Sequence, residues 1–220
     1  MASGCVPDAH PWDIPKIAAS AGFLSSGMWV DPETTWTNGA LKKTKASIRE
    51  TNIELIDVEV IWLEKTKKAT DTHKLIIDVA LELKARNILV VSRHENYNDS
   101  ISQFRDICER AGNEIRVCLE FGEFTDIKSL TKAREFINSV DHKSAGILID
   151  LMHLNRAGDS LPDIEDSIFP YVQGCDFWQN SASMKGMDYI EAAVNSRCCL
   201  GEGEARKNDL IKMCRSSKDI

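Results

Sequence analysis

The sequence lacks a long uninterrupted apolar segment, and it lacks the pattern of a secretory signal. Its first residues, MASGCVPDAHPWDIP, contain no basic segment followed by an apolar one. No run approaches the roughly 18 uncharged apolar residues that a membrane-spanning helix needs. We therefore expect a cytoplasmic protein with no membrane partner.

The sequence also has no excess of basic residues. Lysine and arginine number 27 against 34 aspartates and glutamates, which gives a formal net charge of -7. A protein that binds a phosphate backbone needs a basic surface, and this composition supplies none. Nucleic acid is therefore not an expected partner.

Cysteine is present but shows no pairing pattern. The seven cysteines are odd in number, no two are spaced as C-x-x-C, and most lie inside apolar runs. Such cysteines are typical of a reducing compartment, where the thiol packs as a small apolar group. The sequence therefore does not predict a disulfide framework.

Apolar, partly β-branched runs recur about every 30 residues, which is the length of a βα unit. The runs are residues 23–30, 53–63, 87–92, 114–121, 145–152 and 171–178. Amphipathic segments that favour helix lie between them, at 13–22, 40–51, 72–85, 100–112 and 126–140. Two of these helices finish in Ala-Gly, at Gly22 and Gly112, where glycine can adopt the left-handed conformation that closes a helix.

This alternation predicts an α/β fold, and its even spacing favours a TIM-type (β/α) barrel over an open sheet. No linker or change in composition divides the chain, so we expect a single domain over residues 1–220. A closed barrel needs eight units and about 250 residues. Only six strands are clear, a first strand would have to lie in ASGCV, and RSSKDI offers no eighth. We expect an incomplete barrel of about six to seven units, whose open edges favour a homo-oligomer.

Polar residues follow the predicted strands, at the end of a barrel where active sites lie. Glu120, Asp150 and Gln173 come from three successive strand ends and could supply oxygen ligands to one divalent cation. Glu120 and Asp150 could equally cap their strands or pair with Arg116, Arg156 or a lysine. The spacing does not choose between these interpretations.

Other candidates surround this set. His153 could carry a proton or hydrogen-bond to a metal ligand, or it could make an ordinary structural hydrogen bond. Arg156 could bind a substrate carboxylate or phosphate, or only an acidic neighbour. Trp29 and Trp62 could form an apolar wall around a ring-shaped substrate, with core packing as the alternative. The remaining strand-end candidates are Glu59 as a base and His94 and Asp176 as substrate contacts.

Four stretches together resemble a known family. RVCLEFGEFTDIKSL, AGILIDLMHLNRAGDSLPDI, YVQGCD and LGEGEARKNDLI are similar to the sugar phosphate isomerase/epimerase superfamily of xylose-isomerase-like TIM barrels, over about residues 21–210. The resemblance implies a divalent metal (Mn, Mg, Co or Zn) that holds substrate oxygens while a carboxylate removes a proton from carbon. It implies Glu120 and Asp150 as metal ligands, His153 and Arg156 as substrate contacts, and Gln173 where many members have a ligating histidine.

Two departures from that family matter. Gln173 would bind a metal more weakly than histidine does, so a site without metal is an alternative. The family usually takes a last ligand from a glutamate on the eighth strand, and no such strand is recognisable here. Glu202, Glu204 or a neighbouring subunit could replace it.

The leading hypothesis is an isomerase, an epimerase or a related dehydratase or lyase that acts on a small polyhydroxylated or keto compound. Glu120 or Glu59 would be the base, His153 the acid and Arg156 the anchor. The alternative is a non-catalytic, shortened barrel that acts as a binding or assembly subunit. An abasic-site endonuclease would need a histidine-rich zinc site and a basic face, which five histidines and a net charge of -7 do not provide.

Overall fold

Six parallel strands lie side by side in chain order and curl into an incomplete barrel. The computed structural model describes residues 1–37, 39–178 and 187–216. The strands are β1 (Ser25–Trp29), β2 (Glu54–Leu63), β3 (Asn87–Ser92), β4 (Arg116–Glu120), β5 (Ala145–Asp150) and β6 (Val172–Gln173). The expected parallel α/β architecture and the incomplete barrel are confirmed.

Helices connect the strands and cover the outside of the sheet. They are α1 (Ile14–Ser20), α2 (Ala40–Thr51), α3 (Lys67–Leu83), α4 (Tyr97–Ala111), α5 (Leu130–Val140), α6 (Leu151–Arg156), α7 (Met187–Asn195) and α8 (Lys207–Cys214). Gly22 and Gly112 have φ values of +83° and +77° just after α1 and α4, as their Ala-Gly endings predict. Apolar residues of the first five helices lie in the large apolar core or pack against it.

The sheet is buried on both faces, as near-continuous apolar strands require. Every residue of β3 and β5 is buried. One large apolar core lies between the sheet and the helices, and a smaller one fills the inside of the barrel. The inner core contains Ile56, Leu89, Val91, Cys118, Leu148 and Tyr171. The concave face of the sheet is therefore packed with side chains.

The two ends of the strand series differ from a regular barrel, and one sequence expectation is wrong in detail. The segment ASGCV forms no strand, because Ser3–Cys5 is a 3-10 helix closed by the N–H groups of Cys5 and Val6 on the carbonyls of Ala2 and Ser3. Residues 171–178 form two short strands instead of one. After β6 the chain leaves the parallel sheet, and β7 (Asp176–Phe177) pairs antiparallel with β8 (Arg197–Cys198).

The strand β2 contains extra residues that change the direction of its side chains. Ser26 pairs with Leu55 but Gly27 pairs with Asp57, so Ile56 is a bulge against β1. A bulge of one residue lets two successive side chains face the same side. Ile56 lies in the inner core, and Asp57 lies beside Tyr171 of that core.

Within the part of the chain that the structure describes, no helix combines the length and the apolar composition needed to cross a bilayer.

Brief alkylation of the native protein with iodoacetamide at pH 8 is expected to modify the exposed Cys5, Cys199 and Cys214 and to spare Cys108 and Cys118. Burial raises the pKa of the Cys108 thiol to about 12 and also raises the pKa of Cys118, so neither forms a reachable thiolate. Peptide mass spectrometry measures the labelling, and all seven cysteines should react in urea. Rapid native labelling of Cys118 would contradict its place in the inner core.

Candidate active site

Two strand ends and the helix that follows them bring three metal-binding side chains together. Glu120 is the last residue of β4, Asp150 is the last residue of β5, and His153 lies in the first turn of α6. One ligand atom from each of the three lies within 4.8 Å of the others. Gln173 pairs with Asp150 in the sheet and so lies on the neighbouring strand. The predicted strand-end residues are therefore neighbours in the structure.

The geometry of Asp150 fixes the start of α6. Its Oδ1 accepts a hydrogen bond from the backbone N–H of His153 at 3.1 Å, as a helix N-cap does. The Nε2 atom of His153 lies 3.9 Å from Oε1 of Glu120. Asp150 therefore aims the imidazole at the neighbouring carboxylate.

Two further carboxylates extend this site along β2. Glu59 was a sequence candidate, whereas Asp57 was not, and both are buried. Gly27 leaves space for Asp57, because a Cβ atom at residue 27 would lie 2.5 Å from Asp57 Oδ1. The hydroxyl of Ser3 donates a hydrogen bond to Glu59. Asp57, Glu59, Glu120 and Asp150 together form what we call the acidic cluster.

Burial holds protons on part of the acidic cluster. Burial, with repulsion from Asp57, raises the pKa of Glu59 to about 8. Burial and repulsion from Asp150 raise the pKa of Glu120 well above its usual range. Burial also raises the pKa of Asp57 to about 6, against the opposing effects of Tyr171 and the Met1 ammonium group. Water stabilises an ionised carboxylate, whereas the protein interior stabilises it poorly, so the protonated form is favoured.

Arg197 is the cation that hydrogen-bonds to the acidic cluster in the described parts of the chain. Its Nη1 lies 2.8 Å from Oδ2 of Asp150. Its charge also acts on Glu120 and Glu59, where it lowers both pKa values. Burial raises the pKa of Asp150, but the charge and hydrogen bond of Arg197, together with the contact to His153 and its backbone N–H, outweigh burial and bring that pKa below its ordinary value. Asp150 is therefore the carboxylate of the cluster that stays ionised most readily.

His153 is a neutral imidazole at pH 7. Burial lowers its pKa to about 4, and Arg197 and Arg156 oppose its protonation further, although Asp150 favours it. A neutral imidazole can bind a metal through one nitrogen or donate a hydrogen bond from the other. It does not form an ion pair with Glu120 at this pH.

The other sequence candidates lie around this cluster at different distances from it. Trp29 hydrogen-bonds to Glu59 and so touches the cluster directly. Trp62 lies with its ring edge toward Phe124 at 6.2 Å, and Phe124 lies 5.0 Å from the His153 ring. These rings form an apolar wall that leads to the imidazole.

Arg156 has a donor that lacks a partner. Its Nη2 atom is buried and has no hydrogen-bond partner among residues 1–37, 39–178 and 187–216. The guanidinium carbon lies 5.9 Å from the centre of the Phe177 ring, and the charge of Arg156 acts on both Asp150 and His153. A buried donor without a partner costs free energy unless a ligand or water satisfies it.

Two substrate-binding candidates have other partners. His94 accepts a hydrogen bond from the N–H of Asn96 at 3.1 Å and so organises the start of α4. Asp176 accepts the N–H groups of Phe177, Gly201 and Ala205, each at 2.9 Å. Those hydrogen bonds hold the Gly-Glu-Gly-Glu loop, which makes Asp176 its anchor. The side chain of Asp176 is therefore occupied by backbone donors and lies outside the proposed substrate site.

The donor set of Glu120, Asp150 and His153 fits a divalent cation. Two carboxylates and a neutral imidazole suit Mn²⁺, Co²⁺ or Zn²⁺ better than Mg²⁺, which prefers oxygen alone. The acidic cluster holds four carboxylates and hydrogen-bonds to one guanidinium among the described residues, so a further cation would relieve their repulsion. Glu202 and Glu204 are exposed on the loop held by Asp176, so they do not join the cluster.

Sequence inspection missed Arg197 and Asp57. Asp57 and Glu59 are two residues apart inside an apolar strand, which is a signal that two carboxylates share one face. Arg197 stands alone before the short apolar segment CCL, and its partner Asp150 is 47 residues earlier in the chain. No local pattern joins the two residues.

The fold and the buried carboxylate site define a parallel α/β barrel with a polar centre at the carboxyl ends of its strands. A family model described as xylose isomerase-like TIM barrel matches residues 15–214. The chain therefore belongs to this family, which confirms the relation indicated by its sequence. A search of curated protein sequences found no match.

Solved structures show the same fold at low sequence identity. A xylose isomerase-like TIM barrel/4-hydroxyphenylpyruvate dioxygenase fusion protein has a TM-score of 0.78 and 17% identity over 96% of this chain and 35% of its own. The probable 3-DHS dehydratase AsbF of petrobactin synthesis from Bacillus anthracis has a TM-score of 0.74 and 16% identity over 99% and 88%. The IolI protein, with a bound zinc atom, has a TM-score of 0.74 and 11% identity over 97% and 82%. This chain thus spans about a third of the fusion protein.

Glu59→Gln is expected to weaken the pH dependence of stability in the metal-free protein. The folded state keeps the Glu59 proton up to about pH 8, whereas the unfolded state releases it near 4.5, so this stabilisation is complete at low pH and is lost as the pH rises through 8. Between pH 5 and pH 9, with chelator, Tm should fall by about 10 °C less than in the wild type. Equal slopes in the wild type, this variant and a control at the exposed Glu114 (Glu114→Gln) would contradict the pKa shift.

Asp176→Ala is expected to destabilise the protein through the Gly-Glu-Gly-Glu loop. Three backbone N–H groups lose their acceptor, and the two buried ones, of Phe177 and Ala205, cost about 1–3 kcal/mol each when unpaired, so we expect Tm to fall by at least about 4 °C. Asp176→Asn keeps one carbonyl oxygen and should lose less. Calorimetry measures both, and a wild-type Tm for Asp176→Ala would refute the anchoring role.

Proposed function

We propose that this chain catalyses an isomerisation, epimerisation or dehydration of a small polyhydroxylated or keto compound by removing a proton from the carbon next to a carbonyl. The observation that carries the proposal is the buried group of Glu120, Asp150 and His153, whose ligand atoms lie within 4.8 Å of one another beside further carboxylates. A divalent cation bound there would supply Lewis-acid stabilisation of negative charge that develops on the substrate. The chain belongs to a family described as xylose isomerase-like, and its structure is similar to that of a probable dehydratase. Both observations support this class of reaction.

Glu59 is the better candidate for the base. Proton abstraction is most efficient when the pKa of the base lies near the working pH. Burial brings the pKa of Glu59 to about 8, and Glu59 is not needed to hold a cation. Glu120 is the second candidate base, but a role as ligand would withdraw its lone pairs from proton transfer. Ser3 and Trp29 hold the Glu59 carboxylate in place.

His153 and Arg156 would bind the substrate. With a pKa of about 4, His153 is a neutral imidazole, so one ring nitrogen can bind the cation while the N–H of the other donates to a substrate oxygen, and it is not an imidazolium acid. The unpartnered Nη2 atom of Arg156 is suited to a carboxylate or hydroxyl oxygen of the substrate. Trp62 and Phe124 would cover the apolar side of the compound.

Glu120→Gln and Asp150→Asn are each expected to abolish metal retention and to slow proton abstraction at least about 100-fold. The reaction is followed as exchange of hydrogen for deuterium next to the carbonyl in D₂O, by proton NMR, across a panel of ketoses and keto acids. This readout needs no prior choice between isomerase, epimerase and dehydratase. Elemental analysis gives the metal content per chain.

Glu109→Gln, at an exposed glutamate on α4, is the matched control and should keep both metal and activity. Full exchange activity in both site variants would refute the assignment. Sugar binding without any exchange by the wild type would favour the second candidate, a non-catalytic binding or assembly subunit. The observation favouring that candidate is that Asp150 already has Arg197 as a counter-ion.

The proposed oligomeric state is a homo-oligomer, and the proposed location is the cytoplasm. A homo-oligomer is supported by β6, the end strand of the incomplete barrel, which pairs with β5 alone among the described residues, whereas Met1 hydrogen-bonds along the outer edge of β1. A cytoplasmic location agrees with the seven cysteines being free in the structure. The homo-oligomer and the cytoplasmic location both stay predictions.

A further inference from the structure

Arg197 reaches the acidic cluster from outside the parallel sheet. It is the first residue of β8, in the antiparallel pair that follows the barrel strands. Its Nε donates to the carbonyl of Ala193 at 2.8 Å, and its Nη1 contacts Oδ2 of Asp150 at 2.8 Å and Sγ of Cys175 at 2.9 Å. About a third of the side chain is exposed (31%), whereas Asp150 is fully enclosed. The guanidinium therefore connects the surface to the buried carboxylate.

Asp150 has little capacity left for a second cation. Its Oδ1 is engaged by the N–H of His153, and its Oδ2 is engaged by Arg197. A metal ligated by Asp150 and Glu120 needs a lone pair that points into the space between them. The positive charge of Arg197 already lowers the pKa of both carboxylates. Two cations at this short distance, away from bulk water, repel each other strongly.

The guanidinium of Arg197 can move away from Asp150 more easily than the carboxylates of the acidic cluster can move. Its hydrogen bond to Ala193 lies on the Nε edge of the planar guanidinium, and water can replace this acceptor together with Oδ2 of Asp150 when the side chain changes rotamer. Its remaining contact, the Cys175 thiol, is a weak acceptor. The exposed part of the side chain gives the guanidinium access to water, which replaces the lost partner. The carboxylates, in contrast, are fixed at buried strand ends.

We propose that Arg197 and a divalent cation are alternative counter-ions of Asp150, so that Arg197 sets the metal affinity of the site. The inference rests on the metal ligands assigned under the proposed function. Without metal, Arg197 neutralises the cluster and keeps it folded. When the cation binds, the guanidinium turns away from Oδ2 of Asp150 and becomes free to contact substrate at the mouth of the site.

The test compares Mn²⁺ dissociation constants, measured by equilibrium dialysis at pH 7, for the wild type and three variants. Arg197→Gln keeps hydrogen-bonding groups but loses the charge, and should bind Mn²⁺ at least tenfold more tightly. Arg197→Lys keeps the charge and should stay within threefold of the wild type. Arg49→Gln, at an exposed arginine on α2, controls for the change in net charge and should also stay within threefold.

If Arg197→Gln binds Mn²⁺ as tightly as the wild type or more weakly, the proposed exchange of counter-ions is wrong, but the proposed metal site is not affected. An absence of Mn²⁺ binding in every protein would overturn the metal site and the exchange together. If Arg197→Gln does not fold, by circular dichroism, the wild type provides the test. Its Arg197 Nε–H signal, assigned in ¹⁵N spectra by comparison with Arg197→Lys, should shift in proportion to bound Zn²⁺. A signal unchanged at saturation would overturn the proposal.

Discussion

The burial of four carboxylates inside one barrel is the constraint on which the rest of this structure depends. An unpaired buried charge costs several kcal/mol, so each carboxylate must be neutralised, hydrogen-bonded or protonated. Asp150 uses a guanidinium and a helix N-terminus, and Glu59 uses Ser3 and a raised pKa. The segments that supply these partners are therefore as necessary to the site as the barrel strands are.

The region after β6 serves this requirement. The strands β7 and β8 add only two residues each, but they place Arg197 over Asp150. Asp176 ties the following loop back to β7 through Gly201 and Ala205, which fixes the start of α8. The antiparallel pair of β7 and β8 thus positions the guanidinium of Arg197, at the place where a regular barrel would continue with parallel strands.

The sequence predicts the repeating part of the molecule well and the irregular part poorly. The segment 40–51 and the strand 87–92 match α2 and β3 to the residue, because apolar periodicity is a local property. Glu120 and Asp150 follow from their positions at strand ends. Arg197 does not, because its role depends on a contact 47 residues away, and Asp57 does not, because regular alternation cannot anticipate the bulge at Ile56.

That bulge shifts the alternation of β2 by one residue, and a second irregularity between Val58 and Ile61 shifts it back. Before Ile56 the odd-numbered residues pack outward, since Ile53 and Leu55 belong to the outer core, whereas Asp57 points inward. The bulge lets two successive side chains face the inside of the barrel, Ile56 in the inner core and Asp57 in the acidic cluster. A regular strand needs one residue fewer to keep Leu55 outward and Asp57 inward, so a one-residue gap at Ile56 in an alignment leaves the carboxylate pair of the second strand in place.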